Sequence, residues 1–228
     1  NSINFDVAES FVRGISWRNV QNINKRTLYW INLCLRQKSI DLQSLVYETL
    51  LKQSFTIESP FNAKFLHDNI FPMTMSKRDG SWTISINKDS EVPKRLIEII
   101  LNQNLSFRHF KYDNFELLSL SIIWLFTSTN RKLRDLSTIA LVKLYMKEPS
   151  IILKNIKLFI EVNDPYVLER LLASAYGAII RTNDVPQLEK IIDILYTKIF
   201  EQEEVYPNVL IRDYARSIIL FAVNKGTI

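Results

Sequence analysis

Three short segments of this chain set charged residues at matching places. Leu133-Arg134-Asp135-Leu136, Leu168-Glu169-Arg170-Leu171 and Ile211-Arg212-Asp213-Tyr214 each hold two charges between apolar flanks. Charges repeated in this way can do one of two things. They can hydrogen-bond and ion-pair from one unit to the next as a structural ladder, or line one face as a row of groups for a partner. Repetition at the same place in every unit favours the ladder. A second cluster, Ser106-Phe107-Arg108-His109-Phe110-Lys111-Tyr112, interleaves rings with cations, and Arg131 and Lys132 follow one helix later. Arg108, Lys111, Arg131 and Lys132 have the chemistry to neutralise phosphates while neighbouring rings stack on bases. The competing reading is a loop between helix pairs, with its rings in the core and its cations in water.

The remaining reactive residue types point to no catalysis. Metal sites need clustered ligands, and His67, His109 and Cys34 stand far apart in no ligand spacing. His67 and Asp68 are neighbours, and on a helix neighbours point about 100° apart, so they do not make a base and its orienter. A surface histidine beside a surface acid is the expectation. No Gly-x-Ser-x-Gly element is present, so nothing marks an activated serine. Glu201, Glu203 and Glu204, just before Tyr206-Pro207, read as a solvated acidic turn. Cys34, among Trp30, Ile31, Leu33 and Leu35, reads as a small buried apolar residue. No catalytic residue, cofactor or metal is expected.

Composition bounds what must position these groups. The chain has 228 residues, is 47% hydrophobic and carries only four glycines and seven prolines. That is enough apolar material for a sizeable core, and too few chain-breakers for a turn-rich β fold or a disordered segment. A formal charge of +5 permits an anionic partner without demanding one. No run of about 18 apolar residues is free of charge, and Asn1 to Asp6 lack the basic and apolar blocks of a signal peptide. The chain does not begin with Met. A fragment of a longer cytoplasmic protein is the expectation.

Apolar spacing of three and four residues predicts helices along most of the chain. Phe5 to Ile15 is one. Asn24 caps a helix to about Gln37, a third begins near Asp41, and Asn62 opens a short one stopped by Pro72. Residues 76–88 are ambiguous. Trp82, Ile84 and Ile86 alternate after Asp79-Gly80 as a hairpin strand would, whereas Ser76 with Asp79 reads as a helix cap. Helix is preferred, because no second strand lies nearby. Ser90 or Glu91 opens the next helix, and Leu105 to Asp113 is the expected joint. Beyond it Asn114, Asn130, Pro149, Asp164-Pro165, Asp184 with Pro186, and Pro207-Asn208 mark successive helix starts. Short connections between them argue for antiparallel helix pairs.

Leu133, Leu168 and Ile211 recur at roughly 35 to 45 residues, a period that marks helical-repeat architectures. One pair cannot cover its own apolar face, and stacked pairs can. Ala140, Ala173, Ala175, Gly177, Ala178 and Ala215 fall in the second helix of each pair, where small residues let backbones approach closely. With its polar pair after a leading apolar residue and small residues downstream, each unit resembles the second helix of a HEAT or armadillo-type repeat. That resemblance implies an interaction scaffold.

A second resemblance rests on Arg13-Gly14-Ile15-Ser16-Trp17-Arg18-Asn19, Ser76-Lys77-Arg78-Asp79-Gly80-Ser81-Trp82, Asp164-Pro165-Tyr166-Val167-Leu168-Glu169-Arg170 and Ile211-Arg212-Asp213-Tyr214-Ala215-Arg216. These segments look like ones in the helical C-terminal regions of large bacterial P-loop NTPases, some linked to antiphage defence. It implies a recognition or assembly role, with the NTPase upstream. No Gly-x-x-x-x-Gly-Lys-Ser/Thr loop occurs here.

The expected fold is therefore all-α, an α-solenoid in a right-handed stack. Residues 1–112 form an irregular helical region and residues 113–228 three HEAT-like pairs. The expected function is non-catalytic: holding a protein partner or another domain of the parent chain. The alternative is a nucleic-acid-binding solenoid using Arg108, Lys111, Arg131 and Lys132. No membrane partner is expected.

Overall fold

The structure is a computed structural model that describes residues 4–88, 91–102, 110–182 and 184–226. Among these residues every regular element is helical and none is a strand. The first half holds α1 (Phe5–Ile15), α2 (Lys25–Leu35), α3 (Ile40–Gln53) and α4 (Ala63–Ile70). Next, α5 (Met75–Arg78) runs without a break through a π-helical turn, Asp79–Thr83, into α6 (Ile84–Lys88). α7 (Glu91–Leu101) precedes α8 (Tyr112–Trp124), which ends in a tight 3₁₀ turn, Leu125–Thr127. The second half continues with α9 (Arg131–Lys147), α10 (Ile151–Phe159) and α11 (Pro165–Ile179). α12 (Leu188–Leu195) is prolonged by a π-helical turn, Tyr196–Phe200, and α13 (Val209–Asn224) closes the described chain.

Most helix starts follow capping chemistry. Asn4, Asn24, Ser39, Asn62, Asn130, Asp164 and Asn208 each accept a first-turn backbone N–H on the side chain, satisfying a donor with no partner inside the helix. Three expected starts differ. Residues 75–88 are helical, but the cap is Thr74, which accepts from Lys77 N–H, and not Ser76. Asn114 lies inside the first turn of α8. From there its Oδ1 accepts the Lys111 N–H at 3.0 Å while its Nδ2 donates to the Phe55 carbonyl. Asp184 and Pro186 do not open α12; the chain enters it through Gln187 in the left-handed region, φ 59°. Ser90 and most of the expected joint fall outside the described residues.

Packing follows from which helices are apolar all round. In α8 every residue from Phe115 to Trp124 is buried. A helix with no polar face must be enclosed, and α4, α7, α9, α10 and α11 all pack against it. Glu116 is the charged residue within this buried stretch. Its carboxylate takes Lys154 Nζ at 2.7 Å and Lys64 Nζ at 3.1 Å. Burial pushes this carboxyl up, but the two lysines outweigh burial and hold it below the ordinary carboxylate range.

Around α8 the helices pack in sequence: α9 on α7, α11 on α9, α13 on α11, with α10 against α8 and α12 against α10. Ala140, Ala175, Ala178 and Ala215 are buried. A Cβ on Gly177 would stand 3.2 Å from Val142 Cγ2, so the missing side chain lets α11 approach α9 closely. In the first half α3 is the hub, contacting α1, α2, α4, α6 and α7. The buried apolar residues, from Ala8 to Ala222, form one contiguous cluster. Among the described residues no helix is long and apolar enough to cross a membrane.

Candidate interaction groove

The helical rod of α5, the π turn and α6 is fastened to the second half by a buried charge. The Arg78 side chain is fully buried, although a guanidinium cannot shed its charge in a protein. Its Nη2 lies 3.2 Å from Asp164 Oδ2, and its Nη1 donates to Asn163 Oδ1 at 2.8 Å. The Trp124 ring lies beneath it, with its centroid 5.6 Å from the guanidinium carbon. Asn163 Nδ2 in turn donates to the Met73 carbonyl. Asp164 does double duty, because its Oδ1 caps α11 by accepting the Tyr166 N–H at 3.1 Å. Burial raises the Asp164 carboxyl, and Arg78 with the N–H groups of Val167 and Tyr166 opposes that rise.

Next to this pair lies an aromatic box. Phe159, Phe71 and Trp124 surround His67 at ring-centroid distances of 5.0, 5.1 and 5.7 Å. Trp124 Nε1–H donates to His67 Nδ1 at 3.3 Å, which requires a neutral imidazole. Burial lowers the pKa of His67, against the opposing charge of Asp68. The expected surface histidine is thus a buried one. α4 turns its apolar face to α8 at this position, and the imidazole sits on that face.

The π turn shapes the outer side of the rod. It directs Trp82 inward, where Nε1–H donates both to the Trp124 carbonyl at 3.1 Å and to Thr127 Oγ1 at 3.0 Å. What remains outside is a groove of about 890 Å³. Met75, Asp79, Thr83, Ile84, Asn87 and Lys88 of the rod form one side. Phe126 to Thr129, together with Arg134, Asp164 and Tyr166, form the other. Met75, Ile84 and Tyr166 are exposed, Tyr166 by 61%. Ser128 fixes the geometry of the far wall. Its hydroxyl donates to Asn87 Oδ1 at 2.6 Å and accepts the Asn130 N–H at 3.1 Å, and its carbonyl accepts Arg134 Nη1 at 2.6 Å.

Arg134 belongs to the repeated charged pairs. Arg212 makes the same bond at the same offset, Nη1 to the Tyr206 carbonyl at 2.6 Å. In two of the three units, then, the first charged residue closes the turn that leads into its own helix. Glu169 occupies that place in the third unit and makes no such bond. At the second place Asp135 of α9 meets Arg170 of α11 at 2.9 Å, a single ion pair between these two helices. Arg131 also approaches Asp135, at 3.6 Å. Asp213 is exposed, and among the described residues no ion pair joins it to Arg170. Of the six residues, Arg134 and Arg212 close turns and Asp135 and Arg170 pair between helices, whereas Glu169 and Asp213 take part in neither.

The described members of the basic group, Lys111, Arg131 and Lys132, do not gather in one place. Arg108 lies outside the described residues. Lys111 precedes the start of α8, whereas Arg131 and Lys132 open α9, beyond the other end of α8. The 13 residues of α8 rise about 20 Å. Among the described residues no group of three or more His, Cys, Asp or Glu is placed to hold a metal ion. Sequence reasoning missed the Arg78–Asp164 pair, because nothing local distinguishes Arg78 from Lys77 and Lys88 in the ambiguous stretch 76–88. No family model, no curated protein and no solved structure matches the chain.

Proposed function

We infer that this chain is a non-catalytic interaction region, an α-solenoid of stacked helix pairs that displays a pre-formed groove to a protein partner. It would belong to a larger protein, and its resemblance to the helical regions of bacterial P-loop NTPases makes recognition or assembly the role. Support for the solenoid comes from the order of packing. Each second helix rests on the previous second helix, α7, α9, α11 and α13 in turn, and Asp135 and Arg170 pair between two of them.

The observation that carries the functional reading is the groove between the α5–α6 rod and the starts of α9 and α11. Its walls are fixed by buried polar bonds before any partner arrives, which lowers the ordering cost of binding. Exposed Met75, Ile84 and Tyr166 alternate there with Asp79, Lys88 and Arg134. That mixture of apolar and polar groups suits an extended peptide, which offers side chains and backbone together.

Quantitative pull-downs with the wild-type chain and an Ile84→Asp/Tyr166→Asp variant test this reading, with equal thermal midpoints as the control for folding. Discrete proteins should be held by the wild type and lost from the variant. If both retain the same proteins, the groove is not the binding surface.

A further inference from the structure

We propose that the corner where α1 meets α2 binds single-stranded nucleic acid. This surface is separate from the groove and does not depend on it. Arg18, Lys25 and Arg26 stand at this corner, and from Ser10 to Ile40 the chain carries neither Asp nor Glu. Of the acids nearest in sequence, Glu9 pairs with Arg13 at 2.8 Å and neutralises it, whereas Asp41 pairs with Lys88 and Glu48 with Lys52. Asp6 lies at the far end of α1, about 15 Å along the helix axis. Arg18, Lys25 and Arg26 make no ion pair among the described residues, so the corner presents an uncompensated positive field.

Flat rings stand among these cations. Trp17 is 90% exposed and Tyr29 63% exposed. An indole left in water contributes nothing to the core, so its burial remains available to a partner. Phe11 and Trp30 are half-buried at the base of the corner, with ring centroids 6.5 Å apart, and the Arg18 guanidinium lies 5.7 Å from the Phe11 ring. A recess of about 200 Å³ opens between Arg18, Arg26 and these rings. The end of α2 is not itself the anion site. Asn24 Oδ1 already accepts the N–H groups of Arg26 and Thr27, so the side chains are what face outward.

Rings beside unpaired cations are what an unpaired strand requires, because bases stack on the rings while phosphates meet the cations. A duplex hides its base faces and would use the cations alone. The exposed apolar groups beside the cations are rings and not the aliphatic face that an interfacial helix inserts into a bilayer, which favours nucleic acid over lipid.

The test is fluorescence anisotropy of labelled oligo-dT and oligo-U, each of about 16 nucleotides, beside a duplex of equal length. The single strands should bind at micromolar protein and more tightly than the duplex. Three neutralised phosphates should weaken binding roughly twentyfold between about 50 and 200 mM salt. Trp17→Ala should weaken it about tenfold. Arg18→Glu/Arg26→Glu should remove it, and Arg131→Glu/Lys132→Glu should leave it unchanged. Quenching of tryptophan fluorescence by the oligonucleotide, present in the wild type and lost in Trp17→Ala, reports the stack without relying on the charge-reversed variant. The proposal is overturned by the absence of binding at low salt, by binding that survives both corner variants, by equal loss in the Arg131/Lys132 variant, or by capture on phosphatidylserine vesicles without any on the oligonucleotides.

Discussion

Arg78 shows how much one buried charge can commit. A guanidinium without water needs a partner, and Asp164, 86 positions later in the sequence, supplies it. Truncating one member of such a pair leaves the other charge buried alone, at a cost of about 3–5 kcal/mol. Asp164→Ala should therefore lower the unfolding free energy in urea by that amount. Adding Arg78→Met should restore part of it, and a single-variant loss below about 1 kcal/mol would contradict the buried pair. His67 gives a pH signature. Its folded pKa is lowered by burial, so it stays neutral in the fold while the unfolded chain takes up a proton near pH 6.5. The unfolded state then binds more protons, and stability should fall as pH drops from about 7 to 5. In His67→Phe that slope should flatten. An unchanged slope would mean that His67 is not the group responsible.

At the scale of elements, glycine and caps decide how closely helices meet. Gly177 sits inside α11, where it costs about 1 kcal/mol relative to Ala. The compensation is close approach to α9, where Val142 Cγ2 would lie 3.2 Å from an added Cβ. Gly177→Ala alone should gain little, because the methyl presses on Val142. In a Val142→Ala background the same change should stabilise by up to about 1 kcal/mol. A double-mutant cycle on thermal or urea unfolding reads the difference, and equal effects in both backgrounds would show that the two side chains do not meet. The π turn at Asp79–Thr83 works at this scale too. It widens the rod by one residue per turn, directs Trp82 to the Trp124 carbonyl and leaves Thr83 and Ile84 on the groove side.

For the whole molecule, order of opening should follow enclosure. α8 is buried along nearly its whole length and is surrounded by five helices, whereas α13 leaves Val209, Leu210, Leu220 and Val223 exposed. Native-state hydrogen exchange should find amides of α8 opening only with the global unfolding free energy, and those of α13 at a lower one. Equal protection in both would indicate a single cooperative unit. The helical class, most boundaries and the burial of Cys34 were legible in the sequence, because 3.6-residue spacing and side-chain caps act over a few neighbours. Asn24, Asn62, Asn130 and Asp164-Pro165 each needed only their own first turn to declare a helix start. Long-range chemistry was not legible. His67 read as a surface residue, Arg78 was not singled out, and Lys111 was grouped with Arg131 across the length of α8. Whether a polar side chain meets water, a ring or an opposite charge depends on which helices the fold brings against it. Such pairings join residues 57 and 86 positions apart, as in His67 with Trp124 and Arg78 with Asp164. Local sequence set the helices and their apolar faces; packing around α8 alone decided which polar groups were sealed in and which were left to line a surface.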